Sequence, residues 1–273
     1  MMGIGLSTYS FFWRHSERVS NPLDLPAMLV ETAKTGVDTF QICDFPAIET
    51  LSEAELLELR ALADRLGLRL ELGVRGVRAD ALARYLRLAI PLGVTLVRSM
   101  IYTSDDHPSI DAARSELLVA MPGFEAAGVT LALETYEQVS TSELVDLIES
   151  VASPNLGICL DVANVIARLE DQVSVIDRVA PFVKNLHSKD FQFVRADGLV
   201  GFALVGAELG EGLLDLDHLF DTVRPFERGV SVIVEHWLPW QGSERSTVAL
   251  EDDWTSRSVR VLKSIQEAYK STG

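Results

Sequence analysis

A chain of 273 residues, 48% hydrophobic and 23% charged, has the composition of a globular protein with a large core. Its formal net charge of −16 excludes nucleic-acid backbone and anionic lipid as main partners, because both require a basic face. No basic flank leads into an apolar run at the start and no stretch of about 18 apolar residues occurs, so neither a secretory leader nor a membrane span is expected.

Eight short apolar, β-branched runs alternate with helix-period stretches rich in Ala, Leu, Glu and Arg. MGIGLSTY and VDTFQICD come first and lead to Tyr9 and Asp44. The stretch LSEAELLELRALADRLG predicts a helix that opens with a Ser52–Glu55 capping box and stops at Gly67. LRLELGV, VTLVRSM and VTLALETY follow, with Arg75, Arg98 and Glu134 at their ends, and TSELVDLIESV opens with a similar cap. LGICLDV and VKNLHSKD carry Asp161 and His187. The longest interruption, 188–229, holds the Gly-rich GFALVGAELGEGLLD. It reads as a loop or hairpin over the active face, a lid at 190–213, with a helix from about Asp215. VSVIVEHW then leads to Glu235, and EDDWTSRSVRVLKSIQEAYK predicts a closing helix. Cys43 and Cys159 lie inside apolar runs, which fits buried thiols in a reducing, cytoplasmic compartment rather than a disulfide framework.

Runs that are apolar on both faces suit parallel strands covered by helices. Eight such units with little left over predict a single (β/α)8 barrel over residues 1–273, and no linker or repeat divides the chain. An open doubly wound sheet is the competing fold, but no G-x-G-x-x-G follows any run.

In such a barrel the chemistry sits at the carboxyl ends of the strands. Four successive strands place Glu134, Asp161, His187 and Glu235 there. Any one of them alone reads as an isolated ion pair or hydrogen-bonding residue. Three carboxylates and an imidazole at one mouth, however, would be desolvated and mutually repulsive without a cation. The expectation is one divalent metal ion, Mn2+ foremost, with Mg2+ and Co2+ also suited and Zn2+ less well matched to this oxygen-rich set. No P-loop cradle is present, which favours an unphosphorylated substrate.

The strand ends LALETYE, GICLDVAN, VKNLHSKDF and VIVEHW resemble the sugar isomerase and epimerase branch of the xylose isomerase-like barrels, over the whole chain. The resemblance implies that Glu134, Asp161, His187 and Glu235 bind the metal and that Glu134 and Glu235 double as acid and base. One position departs from the ketose 3-epimerases, which usually carry a His where this chain has Asn164. Endonuclease IV, a more distant relative, gathers extra His and carboxylate ligands around three metals, while this chain has five His in all and a strongly acidic balance. The segment HSKDFQF, with the Gly-rich stretch and E-x-W after it, is similar to a subgroup that includes decarboxylases of branched 3-oxo sugar acids such as 3-oxo-isoapionate.

Around these ligands, Lys189 either polarises a carbonyl or binds a carboxylate, or else pairs with Asp190 or another loop acid. Arg98 either grips a carboxylate or phosphate, or pairs with Asp44 or Glu71. Asn164 can donate to a substrate hydroxyl. Tyr9, Phe12, Trp13 and Trp237 are candidates for an apolar wall against a sugar. His236 is expected to point away and His107 to approach the mouth, while His15 and His218 read as surface or helix residues. Three functions follow: an isomerase or epimerase of a small ketose, aldose or sugar acid working through an enediolate; a metal-dependent lyase that reaches the same enediolate by losing CO2; or a barrel that binds metal and sugar without turnover. In each the partner is a small sugar or sugar acid, with a homo-oligomer left open.

Overall fold

Strands buried on both faces, such as Thr39–Cys43 and Leu156–Asp161, need helices over one face and a filled interior against the other. The computed structural model of the chain describes residues 3–196, 198 and 200–272. Its strands are β1 (Ile4–Ser7), β2 (Thr39–Cys43), β3 (Arg69–Gly73), β4 (Leu96–Ser99), β5 (Thr130–Glu134), β6 (Leu156–Asp161), β7 (Val183–Ser188), β8 (Asp190–Arg195), β9 (Phe202–Ala207) and β10 (Ser231–Val234). Eight of them close a parallel barrel in the order β1-β10-β7-β6-β5-β4-β3-β2, while β8 and β9 pair separately as an antiparallel hairpin. The helices are α1 (Leu25–Lys34), α2 (Glu53–Leu66), α3 (Ala79–Leu92), α4 (Ile110–Ala127), α5 (Thr141–Val151), α6 (Val162–Ile166), α7 (Gln172–Val179), α8 (Leu216–Val223), α9 (Pro225–Arg228) and α10 (Glu244–Thr272). This is the single (β/α)8 barrel the alternation predicts. Among the described residues no helix is long and apolar enough to cross a membrane.

Local chemistry sets the boundaries. Ser52 and Glu55 form the expected reciprocal cap of α2, and Gly67 ends it in the left-handed region at φ 72°. Ser140 and Glu143 do the same at the start of α5. The closing helix starts earlier than EDDW, at Glu244, because Ser243 Oγ accepts from Ser246 N at 3.2 Å. Strand β1 is shorter than its apolar run: Ser7 Oγ accepts from Tyr9 N (3.1 Å) and starts a 3-10 turn over Thr8–Phe11, so Tyr9 sits on that turn. The run VKNLHSKD breaks into β7 and β8 with Lys189 between them.

A barrel interior is usually filled by branched apolar side chains. Here part of it is polar: Gln41, Glu71, Asn185 and Ser231 are buried and hydrogen-bonded together. Since β2 and β7 are not neighbours in the sheet, the bond from Gln41 to Asn185 crosses the interior.

Residues 190–213, of which 197 and 199 lie outside the described residues, form the hairpin and the Gly-rich segment after it. Asp190 ties down its base. The Asp190 carboxylate accepts from Phe191 N (2.8 Å) and Leu214 N (2.9 Å) on one oxygen, and from Gly210 N (2.9 Å) and Gly212 N (3.0 Å) on the other. A side chain at position 212 would collide with it, since a Cβ there would lie 2.2 Å from Asp190 Oδ1. Lys189 therefore does not find its partner in Asp190, whose charge is spent on backbone amides. Replacing Asp190 with Ala strands four buried or half-buried N–H groups and is expected to cost roughly 3 kcal/mol, read as a lower urea midpoint with an unchanged slope.

Candidate metal centre and active-site cleft

Side chains two apart on a strand share a face, so Asn185 and His187 lie along one side of β7, and Lys189 follows directly after its end. Glu134 and Asp161 are the last residues of β5 and β6, and Glu235 directly follows β10. Asp161 lies in register with His187. All four are almost fully buried. Their convergence has one focus, the Nδ1 atom of His187, which stands 3.6 Å from Glu134 Oε1, 3.8 Å from Asp161 Oδ2 and 3.5 Å from Glu235 Oε2. Donor atoms of Glu134, Asp161 and His187 all lie within 4.8 Å of one another. Glu235 falls outside that group, and its Oε1 accepts from Ser7 Oγ at 3.2 Å.

Whether this set fits a metal is decided by His187. Its Nδ1 is buried and makes no hydrogen bond among the described residues, although three carboxylates surround it. Burial disfavours charge on the ring, but the neighbouring acidic groups, with Cys159 and Glu235 foremost, outweigh it and hold the imidazole pKa well above its usual range. The site therefore demands positive charge at this point. Three oxygen donors and one imidazole nitrogen can satisfy it by holding a divalent cation, and such an ion displaces a proton from the ring.

Two cations of the chain itself already lean on the same carboxylates. Arg98, at 3% exposure, pairs through Nε with Glu134 Oε2 and through a terminal nitrogen with Asp44 Oδ1 at 3.5 Å. Burial alone would raise the Glu134 pKa, but Arg98 and then His187 outweigh it and hold it down to about 2. Lys189 Nζ lies 2.6 Å from Asp161 Oδ2, 3.5 Å from Glu235 Oε2 and 4.6 Å from the centre of the Trp237 ring. Despite its burial, these acids keep it an ammonium. Asn164, on the first turn of α6, donates from Nδ2 to Glu134 Oε1 (2.8 Å), while its backbone N donates to Asp161 Oδ1 (3.2 Å). Asp161 thus caps a helix with one oxygen and faces Lys189 with the other.

Of the pairings expected for Arg98, Asp44 is found and Glu71 is not: Glu71 lies in the polar interior network. Tyr9 and Trp237 line the cleft together with Arg75, Arg98, Asn164 and Lys189. The cleft is tight in this conformation, with a cavity volume of about 50 Å3, well under that of a typical ligand pocket. Phe12 stacks on Tyr9 at 6.2 Å but does not line the cleft. Trp13 turns outward to bond Leu238 O through its indole nitrogen (2.7 Å) and pack on Trp240. His236 points away as expected, to Thr255 Oγ1 at 3.1 Å. His107 stays on its loop, bonded to Thr103 O (2.9 Å), and His218 pairs with Asp177 (2.9 Å) on the surface.

Two cleft residues named at strand ends carry no site role in the sequence reading. Asp44 follows β2 in the left-handed region at φ 47°, strained for a residue with a side chain, and accepts from Tyr9 Oη at 2.7 Å and from Arg75 at 3.0 Å. Arg75 also donates to Tyr9 Oη at 3.1 Å and is half exposed. The sequence signal was present, since both end their strand runs, but they lie outside the four successive strands whose ends suggested the metal site.

Comparison with known proteins places this geometry in context. The sequence model described as "Xylose isomerase-like TIM barrel" matches residues 29–265. The chain is 51% identical over 261 residues to the 3-oxo-isoapionate decarboxylase of Pectobacterium atrosepticum, covering 96% of this chain and 95% of that one. Solved structures of similar shape are distant in sequence and bear on the fold alone. The D-psicose 3-epimerase of Clostridium cellulolyticum H10, determined with D-tagatose, has TM-score 0.73 at 16% identity and covers 98% of this chain and 99% of its own. A xylose isomerase-like TIM barrel protein from Mycobacterium smegmatis, in complex with magnesium, has TM-score 0.72 at 16% identity, covering 97% and 98%.

If the four residues form a metal centre, Mn2+ added to EDTA-treated protein raises its melting temperature in a concentration-dependent way. In Asp161→Asn that rise should disappear or need at least roughly tenfold more metal. An equal rise in both proteins, followed by differential scanning fluorimetry, argues against the centre.

Proposed function

The chain belongs to the xylose isomerase-like TIM barrel family, and from that premise we propose that it is a divalent-metal-dependent decarboxylase of a 3-oxo sugar acid, such as 3-oxo-isoapionate. The balance of charge in the cleft carries this reading. Among the described residues, the carboxylates of Asp44, Glu134, Asp161 and Glu235 face the cations Arg75, Arg98 and Lys189. A divalent ion on Glu134, Asp161, His187 and Glu235 leaves one positive charge uncompensated, which suits a singly charged acid better than a neutral ketose. The 51% identity to a decarboxylase supports the same choice.

The ion, with Mn2+ the first candidate and Mg2+, Co2+ or Zn2+ the others, supplies Lewis-acid polarisation of a carbonyl oxygen when bound. The chain's own residues do the rest. Arg98 is buried and committed to Glu134 and Asp44, so Arg75 is the guanidinium with donors to spare for the substrate carboxylate. Trp237 and Tyr9 close the sides. The bond between the carboxylate carbon and C2 breaks, its electron pair passes into the 3-oxo group as an enediolate, and neutral CO2 leaves Arg75. One proton must then reach C2. Lys189 is the proton store beside Glu235, and the two together deliver it. Asn164 cannot gain or lose a proton; it orients Glu134 instead of taking the role that a His at this position would have. The hairpin at 190–213 serves as a rim: Gly206 packs against the Trp237 backbone so tightly that a Cβ would lie 2.6 Å from Trp237 O.

A second reading, isomerase or epimerase, keeps support from Glu134 and Glu235 flanking His187 Nδ1 at 3.6 and 3.5 Å, a pair able to take and return a proton through the same enediolate. The two separate cleanly. With Mn2+ present, stoichiometric CO2 release from 3-oxo-isoapionate, followed by 13C NMR, is the expected result. A ketose that takes up solvent deuterium with no CO2 release would overturn it. Arg75→Met is expected to raise KM for the acid roughly 10- to 100-fold, the loss of one charge-assisted bidentate contact, with kcat changed far less.

A further inference from the structure

We infer that Gln41 and Glu71, deep in the barrel, are positioning residues that fix the His187 imidazole as its Nε2–H tautomer and aim the Nδ1 lone pair into the metal site. The inference rests on the reading of His187 as a ligand. His187 Nε2 lies 2.9 Å from Gln41 Oε1. An imidazole nitrogen facing a carbonyl oxygen must carry the hydrogen, which leaves Nδ1 without one in the neutral ring.

The direction of this bond depends on which end of the Gln41 amide is oxygen, and the surrounding groups decide that. Gln41 Nε2 donates to Glu71 Oε2 (2.9 Å) and to Asn185 Oδ1 (3.0 Å). Turning the amide over would set its oxygen against two buried acceptors and leave all three without a donor. On the other side the Cys43 thiol donates to Gln41 Oε1 at 2.9 Å and would lose its acceptor. Glu71 is anchored in turn: Asn185 Nδ2 donates to its Oε2 at 3.2 Å and Ser231 Oγ to its Oε1 at 2.6 Å. Because Oε2 accepts from two amides, it remains an acceptor whether or not a proton rests on Oε1. A one-way chain therefore runs from Glu71 through Gln41 to His187, and all of its members are at most 5% exposed.

Packing alone would hold the ring in place but would not choose its tautomer, so the test reads the tautomer. In Zn2+-loaded wild-type protein with 15N-labelled histidine, NMR should show a slowly exchanging proton on His187 Nε2. Gln41→Met, similar in volume but with no amide, should lose that protection and bind Mn2+ roughly 10- to 100-fold more weakly by calorimetry. The double exchange Gln41→Glu with Glu71→Gln reverses the bond between positions 41 and 71 but keeps an acceptor oxygen facing His187 Nε2, and should return the affinity to within about threefold of wild type. A protected proton on Nδ1 in the wild type, Mn2+ binding by Gln41→Met as tight as wild type, or a double exchange no tighter than Gln41→Met would each overturn the inference. Failure of the metal reading looks different: wild-type protein then shows no Mn2+ binding at all.

Discussion

Everything at the mouth of this barrel is arranged around three carboxylates gathered about one imidazole nitrogen where water is nearly excluded. Such a group cannot stand alone, because each desolvated charge costs several kcal/mol unless something positive faces it. The chain answers in two ways. It places Arg98 and Lys189 against individual oxygens, and among the described residues it leaves His187 Nδ1 without a hydrogen bond, a point that could accept a cation. The arrangement works as electrostatic preorganisation: the polar groups are already oriented by the fold, so little reorganisation remains when charge develops on a substrate.

That constraint propagates outward through shared partners. Glu134 is held by Arg98 and Asn164, Arg98 by Glu134 and Asp44, and Asp44 by Tyr9 and Arg75. A chain of alternating charge thus runs from the buried ligands to a half-exposed guanidinium at the rim. Its inner links are too buried to be screened by salt, whereas Arg75 meets solvent. The same side-chain types therefore sit in different settings according to depth, with Arg98 buried against Glu134 and Arg75 half exposed beside Asp44.

Much of this was legible in the sequence. Alternating strand and helix patterns, capping boxes at Ser52 and Ser140, and polar residues at strand ends are local signals that burial does not erase. The four ligand candidates stood out because a carboxylate ending an apolar run has few innocent explanations when four successive strands repeat it. What stayed hidden has a common cause. Strands such as Thr39–Cys43 are buried on both faces, so period-two alternation does not mark which residues turn inward. Gln41 and Glu71 consequently gave no hint that they meet Asn185 across the interior, since that contact depends on barrel closure and shear. The sequence leaves Arg98 as either a ligand-binding or an ion-paired residue, and only the geometry shows Glu134 as a partner, 36 positions away in the chain and on the adjacent strand. The left-handed backbone at Asp44 was likewise invisible, because Asp tolerates it without a glycine to announce it.

Asp190 deserves a different kind of reading. It is the first residue of the hairpin and the neighbour of Lys189, and it grips the far end of the Gly-rich segment through Gly210, Gly212 and Leu214. The inserted segment is thereby sewn shut at its root, so its length and tip can drift without disturbing the lysine. Changes to the rim beyond this seam could therefore accumulate while the charged groups beside Lys189 keep their places.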